Sequence, residues 1–212
     1  MEQAPFGKGH ETLVDTSVRS SWQIDGTNVT LDKKMVSIIN TQANKCVVEM
    51  MGTECYWGVD VKLYKLVLYE EGGFFLKHQD SEKEKGHFAT FLVHLPAIHT
   101  GGNLELQFKE MKRTVNTDSK CKLFSYTCFF TDVFHEIKPI TSGRRLVLAF
   151  NLVRKDGKTM KPVDTGVVQE SLLELYLVLA NKNETGLHPF FFLLFFDISI
   201  FSYIYGTTTL LE

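Results

Sequence analysis

The sequence is short of several things, and each shortage removes a class of function. It has no excess of basic charge: 23 Lys and Arg stand against 25 Asp and Glu, a formal net charge of -2. A nucleic-acid partner is therefore not expected, because there is no electrostatic footprint for a phosphate backbone. Only four cysteines occur, Cys46, Cys55, Cys121 and Cys128, and no two are spaced as C-x-x-C. They read as reduced thiols of a cytoplasmic or nuclear protein, not as a disulfide framework. The opening MEQAPFGKGHETLVD has no apolar stretch of the secretory kind, which supports the same expectation. No internal repeat is evident. The glycine pairs at 72–73 and 101–102 are not followed by a helix start, so they read as turn formers and not as a phosphate cradle.

Long hydrophobic runs are also scarce. The longest, HPFFFLLFFDISIFSYIYG at 188–206, is short for a bilayer span of ~20 apolar residues, and Asp197 interrupts it. Membrane association is expected only if this run is a tail anchor; a buried helix or strand pair, and a stretch not native to the fold, are the other readings.

What remains is a globular composition. A chain of 212 residues, 44% hydrophobic and 23% charged, suits one domain, or one domain with an appendage, around a buried core. Residues 1–34 read as loops with a short strand or two, a turn at Asp25 and Gly26, and alternation over 28–31. Residues 35–56 carry apolar positions at Met35, Ile38, Ile39, Cys46, Val47 and Met50, spaced for one amphipathic helix or two short ones. From Val59 the texture changes to strands: VKLYKLVLY (61–69), FATFLVHL (88–95), NLELQF (103–108), KLFSYTCFF (122–130), HEIKPI (135–140) and RLVLAFNLV (145–153). With no helices between them, an antiparallel sandwich or barrel is favoured over a β/α/β arrangement. A polar linker at 154–166 then leads into a helical pattern at 167–182. The expected organisation is an N-terminal extension with a supporting helix (1–58), a core (59–153), and a C-terminal linker, helix and hydrophobic tail (154–212).

Within the core, FFLKHQDSEK presents His78 and Asp80 two residues apart. In an extended segment such residues face one side, so an imidazole and a carboxylate are offered together. Alone, such a pair is usually just the polar face of a strand. A metal site needs a third ligand from a distant strand. His135 is the best candidate, because it opens HEIKPITSGRRLVLAFNL, where Pro139 and Gly143 fix a turn between two strands. Two histidines and one carboxylate on one face of a metal leave three positions open, the arrangement of non-haem Fe(II) oxygenases. Such iron takes a chelating co-substrate, whose far carboxylate suits the rigid fork of an arginine. Arg144 and Arg145 follow on the next strand, where alternation with Val147 and Ala149 turns one of them inward and leaves the other solvated. His87, His94 and His99 read as strand-face or loop histidines, Cys121 and Cys128 as buried strand residues, and SEKEKG (81–86) as a charged loop beside the mouth of the site.

Three separated motifs, in order, resemble the prolyl 4-hydroxylase-type branch of the 2-oxoglutarate and Fe(II)-dependent dioxygenases. YEEGGFFLKHQD is similar to that family's Tyr-x-x-Gly stretch before His-x-Asp, with Tyr69 at the tyrosine position. FATFLVHLPAIHTGGNLEL is similar to the following strand and its Gly-Gly-x-Leu turn, and FFTDVFHEIKPITSGRRLVLAFNL to the segment of the distal histidine and its Gly-x-Arg. The likeness spans about 61–153. It implies a mainly β (α+β) fold, a distorted double-stranded β-helix or jelly roll with flanking helices. It also implies Fe(II) held by His78, Asp80 and His135, with 2-oxoglutarate and O2 as co-substrates and succinate and CO2 as products. Ascorbate is an accessory reductant that such a reading admits. Arg145 matches the position that grips the distal carboxylate of 2-oxoglutarate, and Tyr69 and Thr90 are the further co-substrate contacts. Phe75 stands where the family often has a second tyrosine, so no hydroxyl is available there.

The resulting expectation is a hydroxylase acting on a C–H bond of a protein or small-molecule substrate, with a prolyl or other protein side chain as one class. Two other readings use the same scaffold. One is a non-catalytic jelly-roll binding module that keeps the metal site. The other is a cupin-like metal enzyme such as an isomerase, which would not require Arg145.

Overall fold

In a computed structural model the fold is described for residues 1–8, 11–51, 56–117 and 124–159. Cys55, Cys121, the helical pattern at 167–182 and the apolar run at 188–206 lie outside the described residues. Short strands open the chain: β1 (Glu2–Gln3), β2 (Phe6–Lys8), β3 (Glu11–Leu13), β4 (Arg19–Ser20) and β5 (Trp22–Asp25). A single 3-10 turn (Gly26–Asn28) and helix α1 (Lys33–Met51) follow. The remaining strands are β6 (Val59–Tyr69), β7 (Phe74–His78), β8 (His87–His94), β9 (His99–Gly101) and β10 (Leu104–Phe108). They continue with β11 (Met111–Val115), β12 (Ser125–Phe130), β13 (Phe134–Ile137), β14 (Ile140–Gly143) and β15 (Arg145–Arg154).

Two antiparallel sheets form the jelly roll. One runs β1-β5-β6-β15-β8-β12, the other β11-β10-β13-β7-β4. Strand β15, RLVLAFNLVR, lies between β6 and β8, and its residues from Val147 to Val153 are buried on both faces. Side-chain period two divides it. Arg145, Val147, Ala149 and Asn151 line an interior cavity, whereas Leu148, Phe150 and Leu152 join the hydrophobic core. In that core Phe91 lies 5.7 Å from Tyr126 and 6.2 Å from Phe150, between ring centroids. Burial of a side chain the size of Phe91 contributes ~2–3 kcal/mol, so this layer fixes the sheet that carries the site.

Helix α1 starts where Asp32 Oδ1 accepts from the Met35 amide (2.9 Å), an N-cap that satisfies one of the first-turn donors. Ile39, Ala43, Cys46 and Val47 form its buried stripe. Tyr126 Oη donates to Gln42 Oε1 (2.6 Å), tying the helix to β12. Ile38, expected on the apolar face, is 40% exposed, because the stripe passes through Ile39 instead.

Two strand expectations are corrected. Residues 28–31 are not a strand: the chain pairs earlier, at β5, and the Asp25 carboxylate then accepts from Thr27 to start the 3-10 turn. The segment 135–140 is not one strand but parts of two, β13 and β14, because Pro139 lacks the N–H that continuation of a ladder needs. Strands β9 and β11 were not anticipated. Among the described residues no helix is long and apolar enough to cross a membrane.

Candidate active site

His78 and His135 are brought together by strand pairing. They are register partners across β7 and β13, and their ring centroids lie 4.1 Å apart. Between Phe75 and His78 the register shifts, with one more residue on β7 than on β13. That bulge places residues three apart on one face, and Phe75 stacks on His78 at 3.6 Å between centroids. Each imidazole is oriented by a backbone carbonyl: His78 Nδ1 donates to Leu76 O (2.8 Å) and His135 Nδ1 to Val133 O (3.0 Å). In that tautomer Nε2 keeps its lone pair for a metal.

Asp80 lies just beyond the end of β7, not within an extended strand as the spacing suggested. Its Oδ2 is 3.8 Å from His135 Nε2, and the ligand atoms of His78, Asp80 and His135 all lie within 4.8 Å of one another. Burial by itself would raise the Asp80 carboxyl, but His135, a hydrogen bond from Thr90 and His78 hold it below the usual carboxylate range. Burial, then His135, pushes His78 down to about 3. Asp80 is thus set as a carboxylate and His78 as a neutral imidazole, donors that a divalent transition metal takes. Thr90, expected at the co-substrate, instead donates its hydroxyl to Asp80 Oδ2 (2.5 Å).

The trio opens on a cavity of about 480 Å³. Arg145 lines it, is 2% exposed, and is the largest fully buried side chain. Its guanidinium donates to His94 Nδ1 (3.3 Å) and lies 5.3 Å from the centroid of Tyr69, its register partner on β6. Arg145 Nε is buried without a hydrogen-bond partner, and among the described residues no carboxylate pairs with this charge. Burial lowers its pKa to about 10, with Tyr69 acting the other way. A guanidinium left like this is costly to the protein alone and fits an anion arriving from outside. Arg144 points outward and pairs with Glu70 (3.3 Å).

His94, expected on a strand face or in a loop yet able by alternation to reach the pocket, contacts the arginine of the site. It holds Arg145 through Nδ1 and Thr127 Oγ1 through Nε2 (3.1 Å), which fixes it as neutral. Burial, then Arg145 and His99, keeps it well below its ordinary pKa. The available signal was period two along β8, which puts His94 on the side of Thr90 and Leu92. Tyr64, Lys65 and Arg19 also line the cavity, and no motif pointed to them.

Residues 64–153 match the family model of the 2OG-Fe(II) oxygenase superfamily. The matched segment is similar to that superfamily. It spans somewhat under half of the chain. No curated protein matches the sequence. Among solved structures, a prolyl hydroxylase from Trichoplax adhaerens, in complex with a hypoxia inducible factor oxygen degradation domain peptide fragment, is similar at 13% identity. The match covers 72% of this chain and 71% of that one, with a TM-score of 0.52. A 2OG-Fe(II) oxygenase family oxidoreductase from Burkholderia pseudomallei gives 12% identity, 74% coverage of each chain and a TM-score of 0.51. A Pseudomonas putida prolyl-4-hydroxylase gives 20% identity, 71% and 77% coverage, and a TM-score of 0.47. The first two likenesses are likenesses of fold. In this oxygenase core the donor set and the unpaired Nε of Arg145 fit a divalent iron and the far carboxylate of 2-oxoglutarate.

Proposed function

We propose that the protein is a 2-oxoglutarate- and Fe(II)-dependent hydroxylase of a substrate C–H bond. The observation that carries this reading is a single one. A two-histidine, one-carboxylate cluster and a buried arginine with no carboxylate partner line one cavity.

The residues divide the work. His78, Asp80 and His135 would hold the metal. Leu76 O and Val133 O accept from the two Nδ1 atoms, so each Nε2 would be the ligating nitrogen. Thr90 restrains the Asp80 carboxylate, and Arg145, aligned by His94, binds the distal carboxylate of 2-oxoglutarate. The iron, with 2-oxoglutarate and O2, supplies the oxidising power, and succinate and CO2 leave. Phe75, Phe129 and Val147 keep the cavity apolar around the reacting centre. A prolyl or other protein side chain is the substrate class suggested by the motif resemblance.

The test is conversion of 2-oxoglutarate to succinate with Fe(II), together with calorimetric binding of 2-oxoglutarate to the Zn(II)-loaded chain. Turnover that disappears in His135→Ala supports the reading. Turnover that is absent from the unaltered chain, or undiminished in that variant, overturns it. Binding of metal and 2-oxoglutarate without turnover would mark a binding module.

A further inference from the structure

Two more cations are buried in the wall of the same cavity. Lys65 is 9% and Arg19 6% exposed, and both line it. Their hydrogen-bond partners are neutral: Lys65 Nζ donates to Gln23 Oε1 (2.9 Å), Arg19 Nε to Ser21 Oγ (2.9 Å) and Arg19 Nη1 to Pro5 O (2.8 Å). Among the described residues the nearby carboxylates are engaged elsewhere. Asp25, the register partner of Lys65, accepts from the Thr27 amide (2.9 Å) and hydroxyl (2.6 Å). Glu2 accepts from Gln23 Nε2 (2.9 Å), one residue removed from the ammonium. Asp80 belongs to the metal cluster.

The backbone is shaped to present this end of the cavity. On β6 the register with β15 shifts so that Lys65 opposes Ala149 while Leu63 opposes Phe150. Tyr64 is the extra residue of the bulge. It therefore lines the cavity beside Lys65, where strict alternation would turn it away. The Arg19 guanidinium lies 4.4 Å from the centroid of Phe75, the ring that stacks on His78. The cationic end thus adjoins the candidate metal.

The co-substrate does not account for these charges. A divalent ion and Arg145 are balanced by Asp80 and the two carboxylates of 2-oxoglutarate, which leaves Arg19 and Lys65 over. Lys65 also lies four residues along β6 from Tyr69, the partner of Arg145. That is a backbone separation of about 13 Å, too long for a five-carbon diacid to bridge. We propose that Lys65 and Arg19 form an anion subsite for the primary substrate, which presents a carboxylate or phosphate there while its reacting C–H faces the metal. This rests on the oxygenase reading for the word substrate, but the subsite itself is a separate claim.

The experiment is calorimetry on the full chain, first with Zn(II) and 2-oxoglutarate, then with matched probes. The probes are N-acetyl-aspartate amide against N-acetyl-asparagine amide, and N-acetyl-phosphoserine amide against N-acetyl-serine amide. A charge-assisted hydrogen bond predicts that one acidic probe binds ~10-fold or more tightly than its neutral partner, and which acid wins tells carboxylate from phosphate. The preference should fall to about twofold or less in Lys65→Met and in Arg19→Gln and return in Lys65→Arg, as expected when a charge-assisted bond is removed and restored. Equal binding of acidic and neutral probes, binding of neither, or a preference that survives both neutralising variants overturns the subsite. Failure to take up Zn(II) and 2-oxoglutarate in the first step overturns the oxygenase reading instead; the probe preference is then read on the chain without them.

Discussion

His78 and His135 face each other as register partners on antiparallel strands, with 4.1 Å between ring centroids. Each Nδ1 is held by the carbonyl two residues earlier in the chain, Leu76 and Val133. The hydrogen bonds that aim the two metal-facing nitrogens thus come from the backbone, whereas the Asp80 carboxylate takes its hydrogen bond from a side chain, Thr90.

That dependence predicts the effect of Thr90→Val, which keeps the shape and deletes the hydroxyl. Loss of an outer-shell hydrogen bond to a ligating carboxylate should weaken metal affinity by ~10–100-fold. Competition with a metal chelator measures it, and the fold should be unchanged by circular dichroism. Unaltered affinity would mean that Thr90 does not restrain the ligand.

Arg145→Met separates stability from binding. The guanidinium is buried with Nε unsatisfied, so replacing it by a flexible apolar side chain should leave the ligand-free chain as stable or more stable in urea. The unaltered chain should gain ~2.7 kcal/mol at 2-oxoglutarate 100-fold above its Kd, and the variant almost nothing at the same concentration. A variant destabilised without ligand and still stabilised by it contradicts the role given to Arg145.

Gly143 sets the chain entry into β15. Its φ is +76°, and a Cβ there would lie 2.2 Å from Ile98 O. Gly143→Ala should cost roughly 1–3 kcal/mol of stability, from left-handed strain and the displaced backbone. Because Arg145 is two residues on, 2-oxoglutarate binding should weaken with it. Urea midpoints and calorimetry on one preparation check both.

Stability should rise with pH at two buried groups, in two different windows. His94 has a folded pKa held well below its ordinary 6.5, by burial first and then by Arg145 and His99. As pH falls below 6.5 the unfolded chain takes up a proton that the folded chain refuses, so stability is lost at up to about 1.4 kcal/mol per pH unit. Lys65 is lowered from 10.5 to about 7, chiefly by burial and then by Arg19 and Lys83. Its unfolded form keeps the proton across that window, so stability rises as pH increases from about 7 towards 10.5. Urea midpoints across both ranges should show the acid slope flattened in His94→Gln and the alkaline rise flattened in Lys65→Met.

The sequence by itself determined the long core strands β6, β8, β10, β12 and β15, because period-two alternation and β-branched residues act locally. It also determined the order of His78, Asp80, His135 and Arg145, because their spacing is a linear property. Arg145 and not Arg144 points inward, as alternation with Val147 and Ala149 allows for only one of the pair.

Pairing between distant strands decided the rest. Two bulges, one between Phe75 and His78 and one at Tyr64, rotate side chains onto faces that strict alternation denies them. A bulge is a mismatch between two strands, so neither strand's residues announce it alone. Whether Lys65 and Arg19 meet water or a cavity likewise depends on which wall closes over them. In sequence they look like any solvated cation; only the closed jelly roll buries them, with no carboxylate paired to them among the described residues.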